Sequence, residues 1–195
     1  RPNTVLVFAE TYSNPLTRAL DLERVPAIVA ELRSVAPRMK LVVDSTIATC
    51  WGIRGKLLAL GAHVVIFSGT KAFGGQDRDL AGFIATNDND LANAAMDLMA
   101  MRGGILDWRR AKALVEGWPA AELAHSVRCA NASVVASFLA SHPLVAEVFH
   151  PSLPTHVDAK VITTSYQRPG SLLSFRLGTR GEDQARRVCD ALASC

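Results

Sequence analysis

KLVVD (40–44), HVVIFS (63–68) and, after a glycine-rich turn, LAGFIAT (80–86) are the stretches that decide the fold of this chain. Each is a short apolar run rich in β-branched residues and bounded by polar or glycine-containing turns, the pattern of a buried strand. Upstream, TVLVFAE (4–10) reads as another strand, closed by the turn-prone Ser13-Asn14-Pro15. Between them, Leu22, Val25, Ile28, Val29 and Leu32 recur at helical spacing over 21–35 until Pro37 stops the pattern, and 56–60 reads as a short helix ended by Gly61. Apolar strands alternating with helices mark a mainly parallel sheet with helices on both faces, an α/β domain.

Beyond this core the pattern changes. Residues 90–101 and 108–141 read as helices, the second interrupted at Pro119. HPLVAEVFHP (142–151) holds a short strand bounded by prolines, SLLSFRL (171–177) a second, and 182–193 a closing helix. The expected division is an α/β core over 1–105, a long linking helix region over 106–142 and a partial α+β domain over 143–195. The chain begins at Arg1 and its last domain has one convincing strand pair, so the expectation is a portion of a longer protein with its N-terminal part missing.

Composition narrows the function classes. The 195 residues are 49% hydrophobic and 20% charged, enough apolar content for a packed core and too much for a disordered chain. Mean hydropathy is +0.18, yet no apolar run approaches the roughly 18 residues of a membrane helix, so no membrane partner is expected. Net charge is +3, and the cations are scattered apart from pairs such as Arg109-Arg110 and Arg186-Arg187, which argues against a nucleic-acid partner. Cys50, Cys129, Cys189 and Cys195 form no CxxC pair and no zinc-ligand spacing, which fits reduced thiols in a cytoplasmic protein. His142, His150 and His156 lie close in sequence without an acidic or thiol partner at ligand spacing, so no metal is expected. Cys50 reads as a small buried filler or a reactive thiol, and Trp51, Trp108 and Trp118 as packing residues.

In a sheet of this kind, functional groups gather at the carboxyl ends of the strands. Those ends carry Glu10 with Asn14, then Asp44 with Thr46, then Ser68, Thr70 and Lys71. Asp44 follows Leu41-Val42-Val43 and should be poorly solvated; a helix cap or turn aspartate would look the same. Lys71 sits in a tight polar turn between Ser68-Gly69-Thr70 and Gly74-Gly75, where a solvated surface lysine is the bland alternative. Taken together, these residues suit one cofactor. A lysine beside hydroxyls can form a Schiff base with pyridoxal 5'-phosphate, and an aspartate on the neighbouring strand end can hold the ring nitrogen protonated. Ser68 and Thr70, two apart in an extended segment, would point the same way and grip the phosphate, with Lys71 on the opposite side.

ETYSNPLTRALDL (10–22), VVDSTIAT (42–49) and FSGTKAFGG (67–75) resemble the Cys/Met-metabolism family of pyridoxal-phosphate enzymes, which includes cystathionine synthases and lyases, methionine γ-lyase and O-acyl-homoserine sulfhydrylases. The resemblance continues through RGGILD (102–107), RCANA (128–132), SHPLVAEVFHPSLPTH (141–156) and GSLLSFRL (170–177), in the family's order. It implies a fold type I large domain with part of a smaller C-terminal domain, Lys71 as Schiff-base lysine and proton-transfer base, and Asp44 on the pyridine nitrogen. It also implies Ser68 and Thr70 on the phosphate, Asn14 near the phenolic oxygen and Thr46 close to the ring. The implied activity is elimination or replacement at the β- or γ-carbon of a sulfur-containing or activated homoserine-type amino acid, in a homo-oligomer with shared active sites, a dimer or a tetramer of two dimers.

The chain departs from the family pattern at Ser45, Ile47 and Cys50, at Gln76-Asp77-Arg78 after the lysine, and at Glu116-Gly117-Trp118. No segment matches the family's N-terminal phosphate and ring-stacking contacts or its C-terminal carboxylate-binding arginine. The altered neighbourhood at Gln76-Asp77-Arg78 and Glu116 motivates the alternative expectation, an inactive or non-catalytic homologue serving as a subunit or interaction partner.

Overall fold

A computed structural model describes residues 1–73, 80–178 and 181–194. The expectations for Gly74, Gly75, Gln76-Asp77-Arg78 and Cys195 fall outside the described residues. Four strands form the main sheet in the order β1 (Leu6–Glu10), β2 (Lys40–Asp44), β3 (Val64–Ser68) and β4 (Gly82–Ala85). β1, β2 and β3 run parallel, with Glu10 beside Asp44 and Asp44 beside Ile66, so their carboxyl ends share one edge of the sheet. β4 is the exception in this mainly parallel sheet, because it pairs antiparallel to β3 with Ser68 opposite Gly82. The reversal begins at Ala81, whose carbonyl accepts from the amides of Gly69 (2.8 Å) and Thr70 (3.1 Å) and so doubles the chain back onto the end of β3.

The core lies on the face where Leu41 and Val43 of β2 and Val65 of β3 point. A 3₁₀ turn (Leu22–Arg24) leads into α1 (Val25–Val35), whose first turn accommodates Pro26 because that amide has no intrahelical partner to lose. Leu22, Val25 and Val29 close over the sheet. Residues 56–60 form turns instead of the expected helix: after the Leu60 amide bonds the Lys56 carbonyl, Gly61 at φ +109° ends the segment.

Two further helices follow, α3 (Asn89–Arg102) and α4 (Trp108–Ala140), each capped by an aspartate side chain that accepts two backbone amides, Asp88 and Asp107. α4 is continuous through Pro119, against the expected interruption. An internal proline costs about 3 kcal/mol. Here α4 is buried on both sides of the ring, at Leu114 before it and at Ala121, His125, Cys129, Ala132 and Ala136 after it, and this packing offsets the cost. The residue before the proline, Trp118, stacks on the fully buried Phe73 with ring centroids 4.8 Å apart.

β5 (Val145–Phe149) and β6 (Ser174–Leu177) form a separate antiparallel pair, and β5 packs against α4. Between these strands lies α5 (Ala159–Ser165), a short helix with no counterpart in the sequence reading, and after them comes α6 (Glu182–Ala193). The α5 region staples the loop after β1. Tyr166 stacks on Tyr12 at 4.4 Å and its hydroxyl lies 2.7 and 2.8 Å from the carbonyls of Thr11 and Leu20. Asp158 meanwhile pairs with the Arg18 guanidinium (2.7 and 3.0 Å) and accepts the Ala19 amide. Among the described residues, no helix is long and apolar enough to cross a membrane.

Candidate active site

The shared strand edge is stitched by short hydrogen bonds from the loop after β2. The Thr46 amide donates to Asp44 Oδ1 (2.7 Å), and the Ser68 amide donates to Thr46 Oγ1 (3.0 Å). Asp44 is half-buried, and no hydrogen bond or ion pair takes its second oxygen among the described residues. Beyond this edge opens a cleft of about 460 Å³ bordered by Asn14, Thr46, Lys71, His125, Arg128 and Ser171. A larger hollow of about 920 Å³ beside Cys50 and Lys56 contains none of the expected site residues.

Of the six expected residues, Asn14, Thr46 and Lys71 therefore meet around one cleft, while Asp44, Ser68 and Thr70 do not line it. The extended geometry expected for 68–71 is replaced by a helical turn, α2 (Gly69–Ala72), so Ser68 and Thr70 do not share a strand face. The Thr70 hydroxyl instead accepts from the Ala81 amide (2.9 Å) and bonds the Ala81 carbonyl (3.3 Å), securing the turn that bears Lys71. Gly69 is required there: a Cβ would lie 2.7 Å from the Phe83 ring and 3.0 Å from the Ala81 side chain. Phe73 anchors the turn's far end among Trp51, Phe67, Phe83 and Trp118. Trp51 and Trp118 thus pack as expected, whereas Trp108 is exposed and carries Arg109 over its ring. Cys50 is exposed, not a buried filler. Glu10 is exposed at the end of β1 and does not line the cleft.

Two β-branched residues in the loops beside the cleft, Thr17 (φ 51°) and Thr49 (φ 60°), occupy the left-handed region, a strained conformation costing about 1–3 kcal/mol each. Both are fully buried, and the packing of the Asn14 and Thr46 loops holds them there.

His125 and Arg128 come from α4, three residues apart and so on one helix face. The sequence reading did not single out either as a site residue, since that spacing shows they share a face without showing what the face meets. His125 is buried, with Nε2 3.5 Å from Cys129 Sγ. Desolvation, followed by the nearby charges of Arg168 and Arg128, lowers its pKa to about 4. The imidazole is consequently neutral in the folded protein while the unfolded chain protonates near the ordinary value of about 6.5. Its contribution to stability is complete above that value and falls as the pH drops toward 4, because the unfolded state then binds the extra proton. A proton-detected NMR titration should find His125 neutral down to about pH 4. In His125→Gln, the urea midpoint should vary less steeply with pH across that window.

A family model described as Cys/Met metabolism PLP-dependent enzyme matches residues 1–194. The chain belongs to this family. L-methionine gamma-lyase of Fusobacterium nucleatum subsp. polymorphum is 32% identical over 179 residues, covering 91% of this chain and 44% of that protein. The chain thus spans less than half the length of that relative. Among solved structures, metB from Corynebacterium glutamicum superposes with a TM-score of 0.85 at 31% identity, over 97% of this chain and 47% of the other. CalE6, a methionine gamma lyase from Micromonospora echinospora, gives 0.82 at 28% identity, over 94% and 48%. The type I large-domain fold expected of the family is the one observed, as a mixed sheet.

The cleft suits the family's cofactor chemically. Its described walls carry two cationic side chains, Lys71 and Arg128, and no carboxylate, which favours a phosphate. Asp44, behind the cleft at the same strand edge, has one oxygen fixed by the Thr46 amide and the other without a hydrogen-bond partner among the described residues.

Proposed function

We propose that this chain forms the lysine-bearing part of a pyridoxal-phosphate enzyme that eliminates or replaces a group at the β- or γ-carbon of a sulfur-containing or activated homoserine-type amino acid. The observation that carries this reading is the convergence of Lys71, Thr46 and Asn14 on one cleft, with Asp44 two residues behind Thr46 at the same strand edge. When bound, pyridoxal 5'-phosphate supplies an electron sink for negative charge left on the substrate's α-carbon.

The protein's part is positioning and proton handling. Lys71 would hold the cofactor through Nζ and would serve as the general base for the substrate's α-proton. Asp44 keeps the ring nitrogen protonated, and Thr46 fixes the Asp44 carboxylate through its amide. Asn14 is assigned to the ring's phenolic oxygen and Ser68 and Thr70 to the phosphate; for Thr70 this means turning its one hydroxyl hydrogen from the Ala81 carbonyl to a phosphate oxygen while still accepting the Ala81 amide. The division into a core over 1–105, a linking helix over 106–142 and a smaller domain over 143–195 fits the two separate sheets joined through α4. We assign the working form to a cytoplasmic homo-oligomer, for which the exposed apolar side chains Trp108, Leu123, Val134 and Phe138 of α4 offer surface.

The full-length polypeptide carrying this chain, mixed with pyridoxal phosphate, should gain visible absorbance, and borohydride should fix the cofactor to the Lys71 peptide. Assay against cystathionine, methionine, cysteine and O-acyl-homoserines should then yield a keto acid or a replacement product. An unmodified Lys71 peptide would refute the reading, and a modified lysine without turnover would favour a non-catalytic subunit.

A further inference from the structure

Lys71 lies in a helical turn of only four residues, closed by the Phe73 amide on the Gly69 carbonyl, and the last carbonyls of a helix have no intrahelical partner of their own. The turn's amino end is tied to Ala81 through the Gly69 and Thr70 amides, and Phe73 is buried directly after it. The Lys71 carbonyl itself is taken from the other side, by Nη1 of Arg128 on α4. Arg128 is also a wall of the cleft that Lys71 enters, so one side chain touches both the lysine's peptide and the space in which its amine works.

We propose that Arg128 is a positioning residue for Lys71. By accepting the guanidinium's N–H, the carbonyl fixes the peptide plane from which the lysine side chain departs, and with it the place that Nζ can reach. A flexible four-carbon stem aims its amine only as well as its Cα is held, and misplacement by about 1 Å in a reacting group costs about a hundredfold in rate. The inference rests on the reading that Lys71 carries the cofactor.

The test compares wild type, Arg128→Lys and Arg128→Met in the full-length polypeptide. The readouts are the rate at which borohydride fixes pyridoxal phosphate to Lys71, the separate kcat and KM values, and the melting temperature without cofactor. Arg128→Met should lower the fixation rate and kcat together by about ten- to a hundredfold, with KM and melting temperature unchanged. Arg128→Lys should recover part of the loss, since an ammonium donates to the carbonyl without the guanidinium's fixed geometry. Should Arg128→Met fail to fold, an intermediate fixation rate in Arg128→Lys supports the proposal and a wild-type rate overturns it. Wild-type fixation by a folded Arg128→Met overturns it as well. A raised KM with unchanged kcat overturns it too, making Arg128 a contact for the substrate's carboxylate. A wild-type protein that takes no cofactor on Lys71 overturns the functional reading and this inference together.

Discussion

Lys71→Ala should leave a folded protein that has lost at least about four orders of magnitude of turnover, because the residue is assigned both the covalent hold on the cofactor and the α-proton transfer. The fold should tolerate the change. Lys71 is exposed, and the turn around it is secured by the Ala81 contacts, the Phe73 ring cluster and Arg128, which bonds the Lys71 backbone and not its side chain. The decisive comparison is between circular dichroism, expected to match wild type, and borohydride fixation, expected to vanish. Measurable turnover with cofactor fixed on another lysine would show that the assignment of Lys71 is wrong.

Asp44→Asn should keep the cofactor but slow turnover by about a hundredfold. The carboxylate's role is to hold a proton on the ring nitrogen, and a hydrogen bond to a charged group contributes about 1.5–3 kcal/mol, up to roughly two powers of ten in rate. An asparagine carbonyl can still accept the Thr46 amide that Asp44 Oδ1 accepts at 2.7 Å, so the strand edge should persist while the charge is lost. Cofactor content by absorbance and kcat measured on the same preparation separate the two effects. Undiminished kcat would remove Asp44 from the proposed role.

How much of this was legible beforehand follows from which physical signals are local. β2 and α6 fall where the apolar runs and helical spacing put them, at Lys40–Asp44 and Glu182–Ala193, because burial pattern and propensity agree there. α5 escaped notice because Val161, Ile162, Thr163 and Thr164 are β-branched and poor helix formers; the helix is held by its place beside the Leu22 turn. The direction of β4 depends on Ala81 bonding back to Gly69 and Thr70, a contact across a turn that periodicity does not encode. The meeting of Asn14, Thr46 and Lys71 around one cleft follows from the loops after β1, β2 and β3 leaving the sheet at one edge, which the order of strands already implies. His125 and Arg128 were not readable, since a long helix offers many faces and only tertiary packing selects the one that meets Lys71.

That long helix also has a mechanical consequence. α4 spans 33 residues, roughly 50 Å of nearly rigid rod. Near its carboxyl end it carries β5 and the smaller sheet, and roughly 18 Å earlier it presents Arg128 to the lysine turn. The smaller sheet and the residue that holds the lysine's peptide thus sit on one continuous helix, with no loop between them.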